Sequence, residues 1–461
     1  MIKFFKEKTL FGLFLASLYA VTGAVFYLAV TREYQIDPRY APVLTVMLFV
    51  MMPPLVKYVF QLLCSPIYAL QCRSLTKRMT GELPSVSVLI PAWNEEVGIV
   101  KTIASVLNTE YPLLQIVVIN DGSTDGTHEK VTKFVADYDK TEHAGTTIKY
   151  LNLTNGGKAR AMNRALAHAE GEIVVTIDAD SVMAPDAIVN LVKHFDDPRV
   201  GGVAGNVVIA NRKKSIEWMQ QLEYLYGFFF RRSDSLFNSV YIIGGAAAAY
   251  RRRVLMEMGG FDHSIITEDI EMSTRILSHG YKTRYACDAA VYTEGPCDLK
   301  GLCNQRLRWC YGRILTFIRH RKLFFSLRRG HNPYLTLLLL PVAVYADVML
   351  LLVPVMLFVY FAYIILTNDY LPLACAITLI SAVVGMQILT DPKARFHRNL
   401  FLLLPVGWLL FCFVSMIEFL SMIRSLKRLA TGKDLKWQKW VRVGVLDSAC
   451  LGNQNGLPAF D

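Results

Sequence analysis

Apolar and polar positions along this chain fall into two regimes. Toward both ends lie long stretches almost free of charge, at Thr9–Val30, Val43–Leu63, Tyr334–Leu366, Leu371–Leu389 and Leu400–Ile423. A helix needs about 20 such residues to cross a bilayer, so each stretch is expected to be a membrane helix. Thr9–Val30 exceeds the apolar core of a cleaved signal peptide, about 7 to 15 residues, and a second span follows it. Pro53 and Pro54 interrupt that second span and are expected to bend or break it. Tyr334–Leu366 is over-long for one crossing and holds Pro341, Asp347 and Pro354, so an interfacial or re-entrant piece followed by a span is expected.

Between about residue 84 and residue 332 the period shortens. Val86–Ile90, Gln115–Ile119 and Ile173–Ile177 are apolar runs of buried-strand length. Turn residues close them, and helical patterns such as Val97–Leu107 and Lys158–His168 lie between. Strand, loop and helix in repetition predict an α/β domain with a mostly parallel sheet, whose ligands sit beyond the carboxyl ends of the strands.

Composition sharpens the picture. Of the 461 residues 53% are hydrophobic and 19% charged, against about 25% charged in an ordinary soluble domain. That excludes a disordered, collagenous or wholly soluble chain. The net charge of +11 would suit nucleic acid, but much of the excess sits at membrane edges and no nucleic-acid reader motif occurs, so no nucleic-acid partner is expected. Arg73, Lys77 and Arg78 follow the second span, and Arg424, Lys427, Arg428, Lys433, Lys436, Lys439 and Arg442 follow the last. Positive-inside bias then puts the central domain and the tail in the cytoplasm. The expected division is 1–72, two spans; 73–332, the catalytic domain; 333–424, the second membrane region; and 425–461, a basic tail. The nine cysteines form no Cys-x-x-Cys pair and read as reduced thiols.

The polar residues at the strand ends carry the candidate chemistry. Asp178-Ala-Asp180 can hold a divalent cation through hard oxygens, although alone it reads equally as a solvated turn. Asp121, within Asn-Asp-Gly-Ser-Thr-Asp-Gly, could likewise be a turn residue. Lys158 is a candidate cation for a nucleotide or a solvated helix lysine, and Glu268-Asp269 a general base or a helix cap. Gln305-Arg306-Leu-Arg308-Trp309 combines guanidinium groups that grip phosphate with an indole that stacks on sugar, or else marks an interfacial helix. Gly244-Gly245 could admit an acceptor closely or pack tightly, and the aromatic stripe from Trp218 to Phe237 could line a sugar path or fill the core.

Six motifs occur in one order: Pro91-Ala-Trp-Asn94-Glu95, Asn120-Asp121-Gly-Ser-Thr-Asp125, Asn155-Gly-Gly-Lys158, Asp178-Ala-Asp180, Thr267-Glu268-Asp269 and Gln305-Arg306-Leu-Arg308-Trp309. This series resembles the family-two inverting glycosyltransferases, specifically the processive membrane synthases of cellulose, chitin, hyaluronan and poly-N-acetylglucosamine. Ile265–Ile270, Gly205-Asn206 and Leu299–Trp309 are most similar to the poly-β-1,6-N-acetylglucosamine branch. The resemblance implies a GT-A-like, Rossmann-like cytoplasmic domain inserted between transmembrane helices of the bacterial inner membrane. It implies processive, inverting transfer of N-acetylglucosamine from a UDP-sugar donor to a growing β-linked polysaccharide, translocated across the lipid bilayer, with Mg2+ or Mn2+ as cofactor. It leaves room for a small accessory membrane protein. A hyaluronan, chitin or cellulose-like synthase, or a lipid-linked single-sugar transferase, is the alternative.

By the same resemblance Asp269 is the base with Glu268 beside it, and Asp180 binds the metal. Pro91, Asn94, Glu95, Asp121, Lys158, Asp178, Arg306 and Arg308 bind the nucleotide sugar, and Gln305, Trp309, Gly244 and Gly245 bind the acceptor.

Overall fold

The computed structural model describes residues 39–78, 82–138 and 145–435, with Arg442, Gly444, Ala16, Ala20, Gly23, Ala24 and Tyr27. The expected span Thr9–Val30 therefore lies almost entirely outside the described residues, as do Lys436 and Lys439. The chain divides into two compact units, one formed by Met1–Lys57 with Val344–Ile423 and the other by Tyr58–Ala343 with Arg424–Asp461.

Helix α1 (Ala41–Arg78) runs on through Pro53 and Pro54 rather than breaking. Proline's fixed φ is itself helical, so the segment forgoes backbone bonds there without leaving the helical path. From Tyr58 onward α1 belongs to the second unit, and polar contacts seat it there. Gln61 Nε2 donates to Asp234 Oδ1 at 2.8 Å, and the Tyr68 hydroxyl donates to the Tyr285 carbonyl at 2.5 Å.

The second unit opens with strands β1 (Val86–Ala92), β2 (Leu114–Asp121), β3 (Thr147–Leu153) and β4 (Ile173–Thr176), separated by helices α2 (Ile99–Leu107), α3 (Thr127–Asp137) and α4 (Lys158–Leu166). The apolar runs of β1, β2 and β4 are buried on both faces, Val88, Leu89, Ile90, Ile116 and Val117 completely, as in a parallel sheet covered by helices, while β3 at the sheet edge has no buried position. Then come β5 (Ser181–Met183), α5 (Ala187–Val192), β6 (Val200–Ile209), α6 (Ser215–Leu236), β7 (Ala248–Arg251), α7 (Arg252–Glu257), α8 (Glu268–Ser278), β8 (Lys282–Thr293) and α9 (Leu299–Arg319).

The eight strands order as β3-β2-β1-β4-β7-β6-β8-β5. The first four are parallel, as expected, but β7 runs antiparallel to both β4 and β6, and β5 antiparallel to β8. The sheet is thus mixed rather than mostly parallel. β5 and β7 are only 3 and 4 residues long, too short to show a period in sequence. The parallel half brings the carboxyl ends of β1, β2 and β4 to one edge, where Asn94, Asp121 and Asp178 lie.

The apolar stretches of the carboxy-terminal third form helices α10 (Leu340–Met349), α11 (Val353–Thr367), α12 (Leu371–Thr390) and α13 (Gly407–Thr431), of which Val344–Ile423 belongs to the other unit. Among the described residues three helices, Ala41–Cys72, Leu371–Thr390 and Arg398–Thr431, are long and apolar enough to cross a membrane. The over-long stretch is a helix pair, Tyr334–Met349 and Val353–Thr367, bent by 68° at its break. That is the geometry of a broken span or a re-entrant loop, as the internal prolines suggest.

Candidate active site

Loops at the strand ends interlock before they present chemistry. Asn94 adopts a left-handed φ of 56°, which asparagine tolerates better than most residues. Its carboxamide accepts the Thr124 N–H at 2.7 Å, while its own N–H donates to Ser123 Oγ at 2.8 Å. Pro91 is the penultimate residue of β1, upstream of this turn. Asp121, at the end of β2, accepts the N–H groups of Gly156 at 2.8 Å and Gly157 at 2.9 Å. Gly157 has a φ of 89°, which a side chain would resist. One carboxylate therefore shapes the loop that launches α4 with Lys158 at its first position.

Lys158 is the hub of the site. Its ammonium lies 2.7 Å from Asp178 Oδ1 and 3.2 Å from Glu268 Oε1. Burial alone would lower its pKa, but Asp178, then Glu268 and Asp269, more than reverse this and hold it above its ordinary value. Burial pushes the Asp178 carboxyl up, yet Lys158 outweighs that, with help from Arg442 and Arg308, and leaves it below its ordinary value. For Glu268 burial prevails over Lys158, and its pKa is raised.

Asp269 sits beside this group in the first turn of α8. Its Oδ2 accepts the Gly245 N–H at 3.0 Å and its Oδ1 the Ile270 N–H at 2.8 Å. The Gly245 carbonyl accepts from Thr176 Oγ1 at 3.1 Å, which ties the glycine to the end of β4. Gly245 thus fixes the Asp269 carboxylate through its backbone, and its neighbour Gly244 has open space where a side chain would be.

From α9, Arg308 reaches the electrostatic field of Glu268, Asp178 and Asp269, and burial lowers its pKa. Arg306 is placed differently. It bonds Glu223 Oε2 on α6 at 2.6 Å, and its guanidinium stands 4.4 Å from the centre of the Trp309 ring. Trp309 also meets Tyr224, ring centres 6.1 Å apart. Gln305 is buried, and its Oε1 has no hydrogen-bond partner. The aromatic stripe of α6 is mostly packing, since Phe228, Phe229 and Phe230 are buried and the Phe228 ring meets that of Tyr285 at a tilt of 37°.

Asp180 holds a cation already, and it is an arginine. The Arg442 guanidinium lies 2.5 Å from Asp180 Oδ2 and forms two bonds to the Glu95 carboxylate at 3.1 and 3.2 Å. Although burial opposes it, Asp180 and then Glu95 hold the Arg442 pKa above its ordinary value. Glu294 completes the cluster and accepts the Gly444 N–H at 3.1 Å. In sequence Arg442 counts only among the basic residues that mark the tail as cytoplasmic, and nothing local to a basic tail ties it to Asp180. Glu294 did carry a signal, as an acid directly after a strand's end.

Among the described residues no cluster of three or more His, Cys, Asp or Glu has metal-site geometry. One buried carboxylate flanked by the Ser181 and Thr293 hydroxyls, at 3.1 and 3.4 Å, still fits a hard divalent cation. Magnesium is usually held by one or two carboxylates with substrate phosphate and water. The guanidinium beside Asp180 shows that the position favours positive charge.

A parallel α/β half joined to a mixed half, with carboxylates and cations at their seam, is the architecture of a glycosyltransferase of GT-A type. Residues 84–312 match the family described as "Glycosyltransferase like family 2", so the chain carries a family-two glycosyltransferase domain. The poly-beta-1,6-N-acetyl-D-glucosamine synthase of Staphylococcus epidermidis is 33% identical over 242 residues, covering 52% of this chain and 57% of the relative. The synthase of that name from Staphylococcus aureus (strain COL) is 32% identical over 249 residues, 53% of this chain and 58% of the relative. The chain thus spans little more than half the length of the curated relatives it matches. Among solved structures, the mannosyltransferase PcManGT from Pyrobaculum calidifontis, in complex with GDP-Man and Mn2+, shares the fold. Its TM-score is 0.50 at 21% identity, covering 84% of this chain and all of that one.

Proposed function

We propose that this protein is a multi-pass enzyme of the bacterial inner membrane. It transfers N-acetylglucosamine from UDP-N-acetylglucosamine to a growing β-linked polysaccharide, with inversion, and passes the product out through its apolar helices. The observation that carries this reading is the convergence of Lys158, Asp178, Glu268, Asp269 and Arg308 at the seam of the two half-sheets. The names of the staphylococcal relatives support the sugar and the linkage.

The chemistry follows from the placement. The acceptor hydroxyl oxygen attacks the anomeric carbon, and the bond from that carbon to the diphosphate breaks, with its electron pair leaving on UDP. Asp269, its carboxylate fixed by two N–H groups, takes the hydroxyl proton. Lys158 and Arg308 face the charge that develops on the leaving diphosphate. Asp180 would hold the divalent cation, which supplies further neutralisation of the diphosphate when bound. Trp309, steadied by Arg306, offers its ring to the acceptor sugar. Positive charge flanking the apolar helices supports a cytoplasmic domain.

The test is incubation of the protein in nanodiscs with radiolabelled UDP-N-acetylglucosamine or UDP-glucose and Mg2+ or Mn2+, followed by sizing and digestion with a β-1,6-specific hexosaminidase. High-mass, digestible product from UDP-N-acetylglucosamine alone is expected. Failure to release UDP from any common UDP-sugar, or a single sugar on lipid, would overturn the reading.

A further inference from the structure

Helix α9 carries Gln305, Arg308 and Trp309, and it must stand at one distance from the turn that carries Glu268 and Asp269. Two contacts set that distance. At the first, Gly312 presses on Thr267. A Cβ built on Gly312 would lie 2.1 Å from Thr267 Oγ1, 2.5 Å from its Cγ2 and 2.8 Å from its Cβ. Thr267 is the residue before α8, is buried, and makes no capping bond, and its hydroxyl has no hydrogen-bond partner. It is there as a surface for α9 to rest on.

The second contact lies further along both helices. Buried Glu271 receives His320 Nε2 at 3.0 Å on one oxygen and the Arg275 guanidinium at 2.6 Å on the other. Arg275 in turn donates to the carbonyls of Met258 at 2.6 Å and Gly260 at 2.9 Å. That end of α9 is thereby pinned to α8 through groups that are themselves held. Arg308 lies four residues before Gly312, on the same helix face one turn away, so a shift of α9 at Gly312 is passed directly to the Arg308 guanidinium.

We propose that Gly312 is a positioning residue of the transfer reaction. By lacking a side chain it lets α9 seat against Thr267, and this sets Arg308 and Trp309 relative to Glu268 and Asp269, with the Glu271–His320 pair as the second fixed point. The inference rests on the reading given under Proposed function.

Gly312→Ala tests it, paired with a variant that moves the missing space across the contact, Gly312→Ala with Thr267→Gly. Glycine is an accepted residue before a helix, and no capping bond is lost with Thr267. In nanodiscs, Gly312→Ala is expected to lower kcat on the order of ten- to a hundred-fold, as misplacement of a catalytic group does, with donor KM within about two-fold and UDP affinity kept. The double variant is expected to recover most of the lost kcat. A parent-like kcat in Gly312→Ala overturns the inference, as does a loss that Thr267→Gly does not repair. Should Gly312→Ala fail to accumulate, His320→Ala displaces the helix from the other fixed point, and parent-like kcat there is equally fatal. A parent protein that releases no UDP overturns the functional reading itself, whereas an active parent with indifferent variants overturns only the role of Gly312.

Discussion

The Arg442 guanidinium lies 2.5 Å from Asp180 Oδ2, although 262 positions separate the two residues in the chain. The Asp180 carboxylate is therefore already neutralised from within the protein. A divalent cation must compete with Arg442 for the same carboxylate, and a pair closed nine-tenths of the time would mask its affinity by about ten-fold. Arg442→Gln is expected to tighten Mn2+ binding to the donor-free protein by about that factor, read by the Mn2+ electron paramagnetic resonance signal. An unchanged Kd would mean that Asp180 and the cation do not meet.

Asp269 and Glu268 are neighbours in sequence with different surroundings. Asp269 is oriented by the Gly245 and Ile270 N–H groups, whereas Glu268 is buried against Lys158. Asp269→Asn keeps the shape and removes the proton acceptor. It is expected to reduce transfer by about 10²- to 10⁴-fold while UDP binding, measured by calorimetry, stays within a few-fold. Turnover at the parent rate would remove Asp269 as the base.

Lys158 sets the charge of two carboxylates together, so its loss should show in the pH profile. With the ammonium present the Asp178 pKa lies below its ordinary value. Without it, only Arg442 and Arg308 are left to oppose the burial of Asp178, and the Asp178 and Glu268 pKa values both move up. Lys158→Met is therefore expected to shift the acid limb of the pH–rate profile to higher pH, so that activity falls at a pH where the parent is still active. Donor KM should rise about ten-fold. An acid limb that does not move would show that neither carboxylate titrates in catalysis.

Asn94, Asp121 and Asp178 were legible in sequence because each lies at or just beyond a strand's end, and the strands declared themselves as short apolar runs closed by turn residues, whereas Lys158, Glu268 and Asp269 open helices and were legible through the order of the motifs. Val86–Ala92 and Leu114–Asp121 appear within two residues of the expected runs. Partners were not legible. Arg306 and Arg308 are two residues apart in one motif, yet Arg306 faces Glu223 on α6 and Arg308 faces the carboxylates. Successive helix positions two apart point to different sides, but which side meets the site depends on how α9 packs. The same holds for Arg442 and Glu95, 347 positions apart. The reversal at β7 was hidden for another reason, since a strand of 4 residues buried on both faces has no alternation to read.

His194 follows α5 in a short turn, 1% exposed, with no hydrogen-bond partner on either ring nitrogen. Burial, then Lys193 and Arg284, lower its pKa from 6.5 to about 3. The folded protein thus keeps the imidazole neutral where the unfolded chain would protonate it. Between those two values the unfolded state binds more protons, so stability rises with pH and is lost on acidification below about 6.5. Taking the protein from pH 7.5 to 5.5 should cost about 1.4 kcal/mol through this one residue, or roughly 3–6 °C in the melting temperature of a domain this size. His194→Leu removes the proton site and the two unpartnered nitrogens together. The variant is expected to lose less melting temperature than the parent over that pH interval, by about that margin, because every other titrating group is common to both. Equal losses in parent and variant would show that His194 is protonated in the folded protein or that acid does not act through it.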